Sequence, residues 1–151
     1  MPQVGYTHQQ IRDLFATALL NQTPAGASID QERFVKLDES DTYPRIIIYI
    51  LSTSMQNDMA EAYGAPFEGS RQVQVKLEYH ADGNDTAALI AAVDAAQTMV
   101  QVLLNNKTFV KSFQAIPRVD TRTGTDDTTA RFRAVGIAVF SLVTEIGFPF
   151  P

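Results

Sequence analysis

The chain has 151 residues, 45% of them hydrophobic, and its twelve basic and seventeen acidic residues leave a net charge of −5. That length suits one domain with its own core, and the composition argues against disorder. The absence of cysteine removes thiol catalysis, disulfides and cysteine-based zinc sites, and the acidic excess speaks against a broad nucleic-acid-binding face, which needs clustered Lys and Arg.

Thr7 opens the first predicted helix as an N-cap, with Gln10 three residues on completing a capping box. Ile11, Leu14, Phe15, Ala18 and Leu19 then follow the helical template and mark its buried face. Pro24 and Gly26 end it in a loop from Asn21 to Ser28. A short strand is expected over Gln31–Leu37. The cluster Asp38-Glu39-Ser40-Asp41 reads as a turn, because Asp and Ser side chains bond their own backbone.

Pro44 introduces Arg45-Ile46-Ile47-Ile48-Tyr49-Ile50-Leu51, whose unbroken apolar and β-branched character predicts a strand covered on both faces. Residues 54–70 read as a long connection, of a length more often functional than merely connecting. From Arg71 to His80 the alternation is clean: Val73, Val75, Leu77 and Tyr79 face the core, and Gln72, Gln74, Lys76, Glu78 and His80 face water. Asp82-Gly83-Asn84 turns the chain, and Asp85 caps a second helix running to about Asn106. That helix is expected to bury Leu89, Val93, Ala96, Val100 and Leu103. Ser112–Arg122 and Arg131–Ile146 form a predicted hairpin with a polar tip at 123–129, and Gly136 reads as a bulge.

The element order is α-β-β-β-α-β-β in a single domain, 1–151. It predicts an α+β fold: a mixed or antiparallel sheet of four to five strands with two main helices packed on it. The first residues show no secretory signal. The apolar run Ile46–Leu51 is far short of the ~20 residues a membrane helix needs. A soluble protein without membrane contact is the expectation.

The residues offer no catalytic signature. His8 and His80 read as solvated side chains. A Ser/His/Asp triad need only meet in space, yet no G-x-S-x-G elbow is present. Neither phosphate-binding glycine motif occurs. Asp38, Glu39 and Asp41 lack the full spacing of a calcium loop and read better as a solvated turn, as do Asp126 and Asp127. No cofactor and no metal is expected.

Contact surface is what remains. Met55, Met59, Tyr63 and Phe67 place adaptable and aromatic residues, of the kind enriched in interface cores, in the 54–70 segment. They either pin that segment to the domain or meet a partner. Phe148 and Phe150 in the Gly147–Pro151 tail admit the same two readings. The charge is local too. Asp38, Glu39, Asp41, Asp58, Glu61 and Glu68 outnumber the single base Arg45 between positions 38 and 68, which accounts for the whole −5. Asp58, Glu61 and Glu68, with Arg122, Asp126 and Asp127 at the hairpin, complete the candidate interface residues.

The segment Phe34-Val35 followed by Asp38-Glu39-Ser40-Asp41-Thr42-Tyr43-Pro44-Arg45-Ile46-Ile47-Ile48-Tyr49-Ile50 resembles the early strand pair of phage tail terminators, the minor tail protein U family of lambda-like long-tailed phages. The Val73–Tyr79 strand, the second helix and the closing strand Ala134–Ile146 follow in matching order. The resemblance implies a hexameric ring that caps the tail tube, stops polymerisation of the major tail tube protein and presents the docking surface for a head-completion or neck protein. It implies a virion protein of the tail, assembled in the bacterial cytoplasm, whose lumen passes DNA without binding it. It transfers no catalytic or ligand residue. The 54–70 segment is longer and more aromatic than the shortest family members lead one to expect. Two other readings stay open: another head–tail joining protein, and a small α+β enzyme or ligand-binding module whose site assembles only in space.

Overall fold

Helix α1 (His8–Leu19) starts as its sequence dictates. The Thr7 hydroxyl accepts from Gln10 N–H, and the Gln10 side chain accepts from Thr7 N–H at 2.8 Å. A computed structural model describes residues 6–20, 27–32, 41–57, 68–83, 85–126 and 133–147. Ile11, Phe15, Ala18 and Leu19 are buried, and Leu14 packs at the rim.

Five strands follow: β1 (Ser28–Gln31), β2 (Arg45–Asn57), β3 (Glu68–His80), β4 (Ala115–Asp126) and β5 (Arg133–Gly147). They form one mixed sheet in the order β1-β2-β3-β5-β4, with β1 parallel to β2 and every other pair antiparallel. Helix α2 (Thr86–Asn105), the short α3 (Lys107–Lys111) and α1 pack on the sheet. The fold is α+β as expected.

The first strand lies earlier than predicted, at Ser28–Gln31 rather than Gln31–Leu37; residues 33–37 fall outside those described. Glu32 ends it with a left-handed backbone, φ 51°. A non-glycine residue in that region costs about 1 kcal/mol. Three contacts offset this: its N–H donates to Ile48 O at 2.9 Å, its carboxylate accepts from Ile50 N at 3.0 Å, and it pairs with Arg12 at 3.2 Å.

The apolar run of β2 is covered on both faces only over Ile46–Ile48; Leu51 is exposed at a register shift against β3. The expected long connection is shorter than 54–70. Both strands continue into it, to Asn57 and from Glu68, because main-chain pairing does not stop where apolar residues do. The hairpin strands likewise differ. Residues after Asn106 form α3 before β4 begins at Ala115, and β4 stays paired as far as Asp126, through residues assigned to the tip.

An aromatic cluster joins three elements. Phe15 of α1 meets Phe109 of α3 edge-on at 4.8 Å and Phe140 of β5 at 5.4 Å, with Phe113 beside Phe109 at 5.1 Å. The expected register of β3 is present, with Val73, Val75, Leu77 and Tyr79 all buried under the helices. Burial raises the Tyr79 phenol above its ordinary pKa.

Helix α2 departs most from expectation. Asp85 caps it, accepting from Ala88 N–H at 2.8 Å. Its buried residues are Ala88, Ala92, Ala95, Ala96, Met99 and Leu103. Leu89 and Val93, expected in the core, are 44% and 37% exposed. The reason is proximity: Gly136 of β5 sits so close to Ala92 that only small residues fit between helix and sheet. Gly136 is therefore a packing site and not a bulge, since β5 keeps its register there with Tyr79. By length and composition α2 is apolar enough to cross a membrane, with a mean hydropathy of 1.7 over its best window. Its unbroken apolar runs are nonetheless short, because Asp94, Gln97 and Thr98 interrupt it.

Candidate functional site

The register of the sheet divides the described candidate contact residues between its two ends. Asn57 pairs with Gly69, and Glu68 pairs with Gly147, so three chain ends meet at one end of the sheet. From there run the 58–67 segment and the C-terminal residues, which hold Asp58, Met59, Glu61, Tyr63, Phe67, Phe148 and Phe150. All seven lie outside the described residues, as do Asp127, Asp38 and Glu39. Glu68 itself is the first residue of β3. Met55 lies two residues before Asn57 and is 55% exposed, on a strand and not on a loop.

Arg122 and Asp126 belong to the opposite end. Arg122 is exposed and pairs across β5 with Ile137, while Asp126 pairs with Arg133 where the β4–β5 ladder ends. Arg45, His80 and Val135 lie near that same end. The described candidates thus lie at the two ends of one sheet, Met55 and Glu68 toward one and Arg122 and Asp126 toward the other.

Between them, the sheet face away from the helices is less wet than expected. Gln72 and Gln74 are exposed, but Lys76 and Glu78 are half-buried and His80 is 4% exposed. Three of these side chains form a chain: Lys76 Nζ lies 2.7 Å from one Glu78 oxygen, and His80 Nε2 lies 3.1 Å from the other. Burial pushes the Glu78 carboxyl up, but hydrogen bonds and charge from His80 and Lys76 outweigh it and hold the group below its ordinary pKa. Lys76 also stands 5.0 Å from the Tyr49 ring centre, within cation–π range. His8 is exposed as expected, its Nε2 2.9 Å from Thr53 Oγ1.

Arg71 is 8% exposed, and its guanidinium donates to Thr144 Oγ1 at 3.3 Å and to the Tyr6 carbonyl. Burial lowers its pKa. The bonds tie the start of α1 to the middle of the sheet. Sequence reading missed this role, because nothing local distinguishes Arg71 from an ordinary strand arginine.

Sequence reading also missed the outer face of α2. Leu89, Val93, Val100 and Leu104 fall within about 60° of arc at 100° per residue, and Leu89, Val93 and Leu104 are exposed. Ile90, at the edge of this stripe, is 56% exposed. Near the C-terminal end of α2, an open depression of about 300 Å³ is lined by Thr98, Gln101, Val102, Asn105 and Asn106, none of them titratable. Among the described residues no three His, Asp or Glu side chains gather as metal ligands would. No protein-family model matches the chain, and no curated protein matches it.

Proposed function

We propose that the protein is a structural assembly component of a long-tailed phage, a tail terminator. Six copies form a ring that caps the tube, halts addition of the major tail tube protein and offers its other side to a head-completion or neck protein. The reading assigns no catalysis, cofactor or metal. It places the protein in the virion tail, with DNA passing the lumen unbound.

The observation that carries it is that the described candidate contact residues fall at opposite ends of one sheet, Met55 and Glu68 at one and Arg122 and Asp126 at the other. A terminator has two axial jobs, one toward the tube and one toward the head, and a subunit with two separated contact ends suits both. The order of elements adds support, since it follows the order that the family resemblance implies along nearly the whole chain. The acidic 38–68 stretch fits a lumen through which phosphate must slide, because like charges repel.

The test is to add the protein to polymerising tube protein and measure tube lengths by electron microscopy. A terminator shortens the tubes and caps their ends as its concentration rises. Unchanged length distributions at excess protein end the proposal. Binding to head particles with no effect on tubes favours a head-completion protein of the same two-ended design.

A further inference from the structure

Backbone N–H and C=O groups need partners or water, and the two outer edges of this sheet meet that need differently. β1 covers β2 only over Arg45–Ile48. Glu32 extends the cover one step, through its N–H to Ile48 O and its carboxylate to Ile50 N. From Ser52 to Asn57, beyond the register shift at Leu51, β2 stays paired with β3 on one side, and among the described residues no strand pairs its other side. At the far edge of the sheet, β4 pairs only with β5 among the described residues.

Exposed edges are usually blunted by charge, proline or a bulge. β4 carries such devices at its start, Pro117 and a register shift between Ala115 and Arg118; from Arg118 to Asp126 it keeps an unbroken register with β5, and its Arg118 and Asp120 charges pair with each other at 2.8 Å. The outer edge of β2 carries a register shift at Leu51, but Leu51-Ser52-Thr53-Ser54-Met55-Gln56-Asn57 contains no charge and no proline. Leu51 and Met55 are 46% and 55% exposed. An uncharged edge with apolar side chains uncovered beside it is suited to accept another strand.

We propose that Leu51–Asn57 of one copy pairs with the Arg118–Asp126 edge of β4 in a second copy, so that the sheet continues from subunit to subunit. The strand directions fit. β2 and β5 run one way, β3 and β4 the other. A copy displaced along the sheet, with its helices on the same side, therefore brings β4 against β2 antiparallel, the more stable ladder. Within one sheet the register sets Arg118 level with Ser52, through Ser141 and Gln74. Matching Arg118–Asp126 to Leu51–Asn57 thus needs a stagger along the strands, which is what closing a sheet about an axis requires. Because two different edges meet, the contact is heterologous and generates either a ring or a filament. The choice of a closed ring rests on the tail-terminator reading.

The chain has no cysteine, so single cysteines report contacts without background. Ser54→Cys and Arg122→Cys sit at exposed positions on the helix-free face, one on each edge. With a short flexible bis-maleimide, the double variant should yield a ladder of covalent multimers. A mixture of the two single variants should yield dimers, and each single variant alone should stay monomeric. Dimers from one single variant alone, or no intermolecular product at any concentration, overturn the proposal. Circular dichroism checks the fold of each variant, and Asp120→Cys replaces Arg122→Cys if the latter does not fold. Tube assays separate the two ideas. A ladder with unchanged tubes keeps the edge pairing and removes the terminator reading, whereas capped tubes without β2–β4 crosslinks do the reverse.

Discussion

A Cβ built on Gly136 would lie 2.1 Å from the carbonyl oxygen of Ala92. The atom in the way is backbone, so α2 as a whole would have to move off the sheet. Gly136→Ala should therefore destabilise the protein by about 1–3 kcal/mol, the range for overpacking a core. Urea denaturation followed by circular dichroism measures it; a change under 0.5 kcal/mol would mean the helix floats freely at this point.

The same contact decides which side of α2 carries stability. Met99→Ala, at a fully buried position, should cost about 2–5 kcal/mol. Leu89→Ser and Val93→Ser, at exposed positions, should each change stability by about 0.5 kcal/mol or less. Costs near those of Met99→Ala would show that Leu89 and Val93 belong to the core after all.

Glu32 supplies a sharper sign test. Glu32→Ala loses the bond to Ile50 N and the Arg12 pair but keeps the left-handed backbone, and should cost about 1.5 kcal/mol. Glu32→Gly loses the same contacts yet tolerates φ > 0, so it should cost less. Thermal unfolding of the pair compares them directly, and Gly costing more than Ala would contradict the reading.

Glu78 makes stability depend on pH. Its folded pKa lies below the ordinary 4.5, so the unfolded chain takes up the proton first as pH falls. The stabilisation is fully present above pH 4.5 and is lost as pH drops through the lower folded value. The stability gap between the protein and Glu78→Gln should thus shrink as the pH falls below 4.5. A gap that widens on acidification would reverse the assignment.

The acidic 58–68 residues can be tested on assembly. Under the proposed tail-terminator function, neutralising Asp58, Glu61 and Glu68 together, as Asp58→Asn, Glu61→Gln and Glu68→Gln, should leave the circular dichroism spectrum intact and change tube capping. Unaltered capping would make these acids a solvated surface only.

Sequence alone determined the features that depend on neighbours a few positions apart. The Thr7–Gln10 box and the Asp85 cap follow from donors left open at helix starts. The Val73–Tyr79 core face follows from the two-residue period of a strand. Two helices, five strands and their order were legible for the same reason. Of the candidate contact residues, only the chain positions were legible. The division of the described ones between the two ends of the sheet needed the register, which joins residues as distant as Glu68 and Gly147.

Tertiary structure alone decided the rest. Helix α2 is apolar on more than one face, so its periodicity allows two orientations. The close approach at Gly136 selects the alanine face, because larger side chains do not fit there. His80 looks like any polar strand residue, yet it ends up 4% exposed beside Glu78. Arg71 became a tie between α1 and the sheet only when Tyr6 and Thr144 arrived from 65 and 73 residues away. Such contacts are set by where the chain returns in space, and no local pattern carries that information.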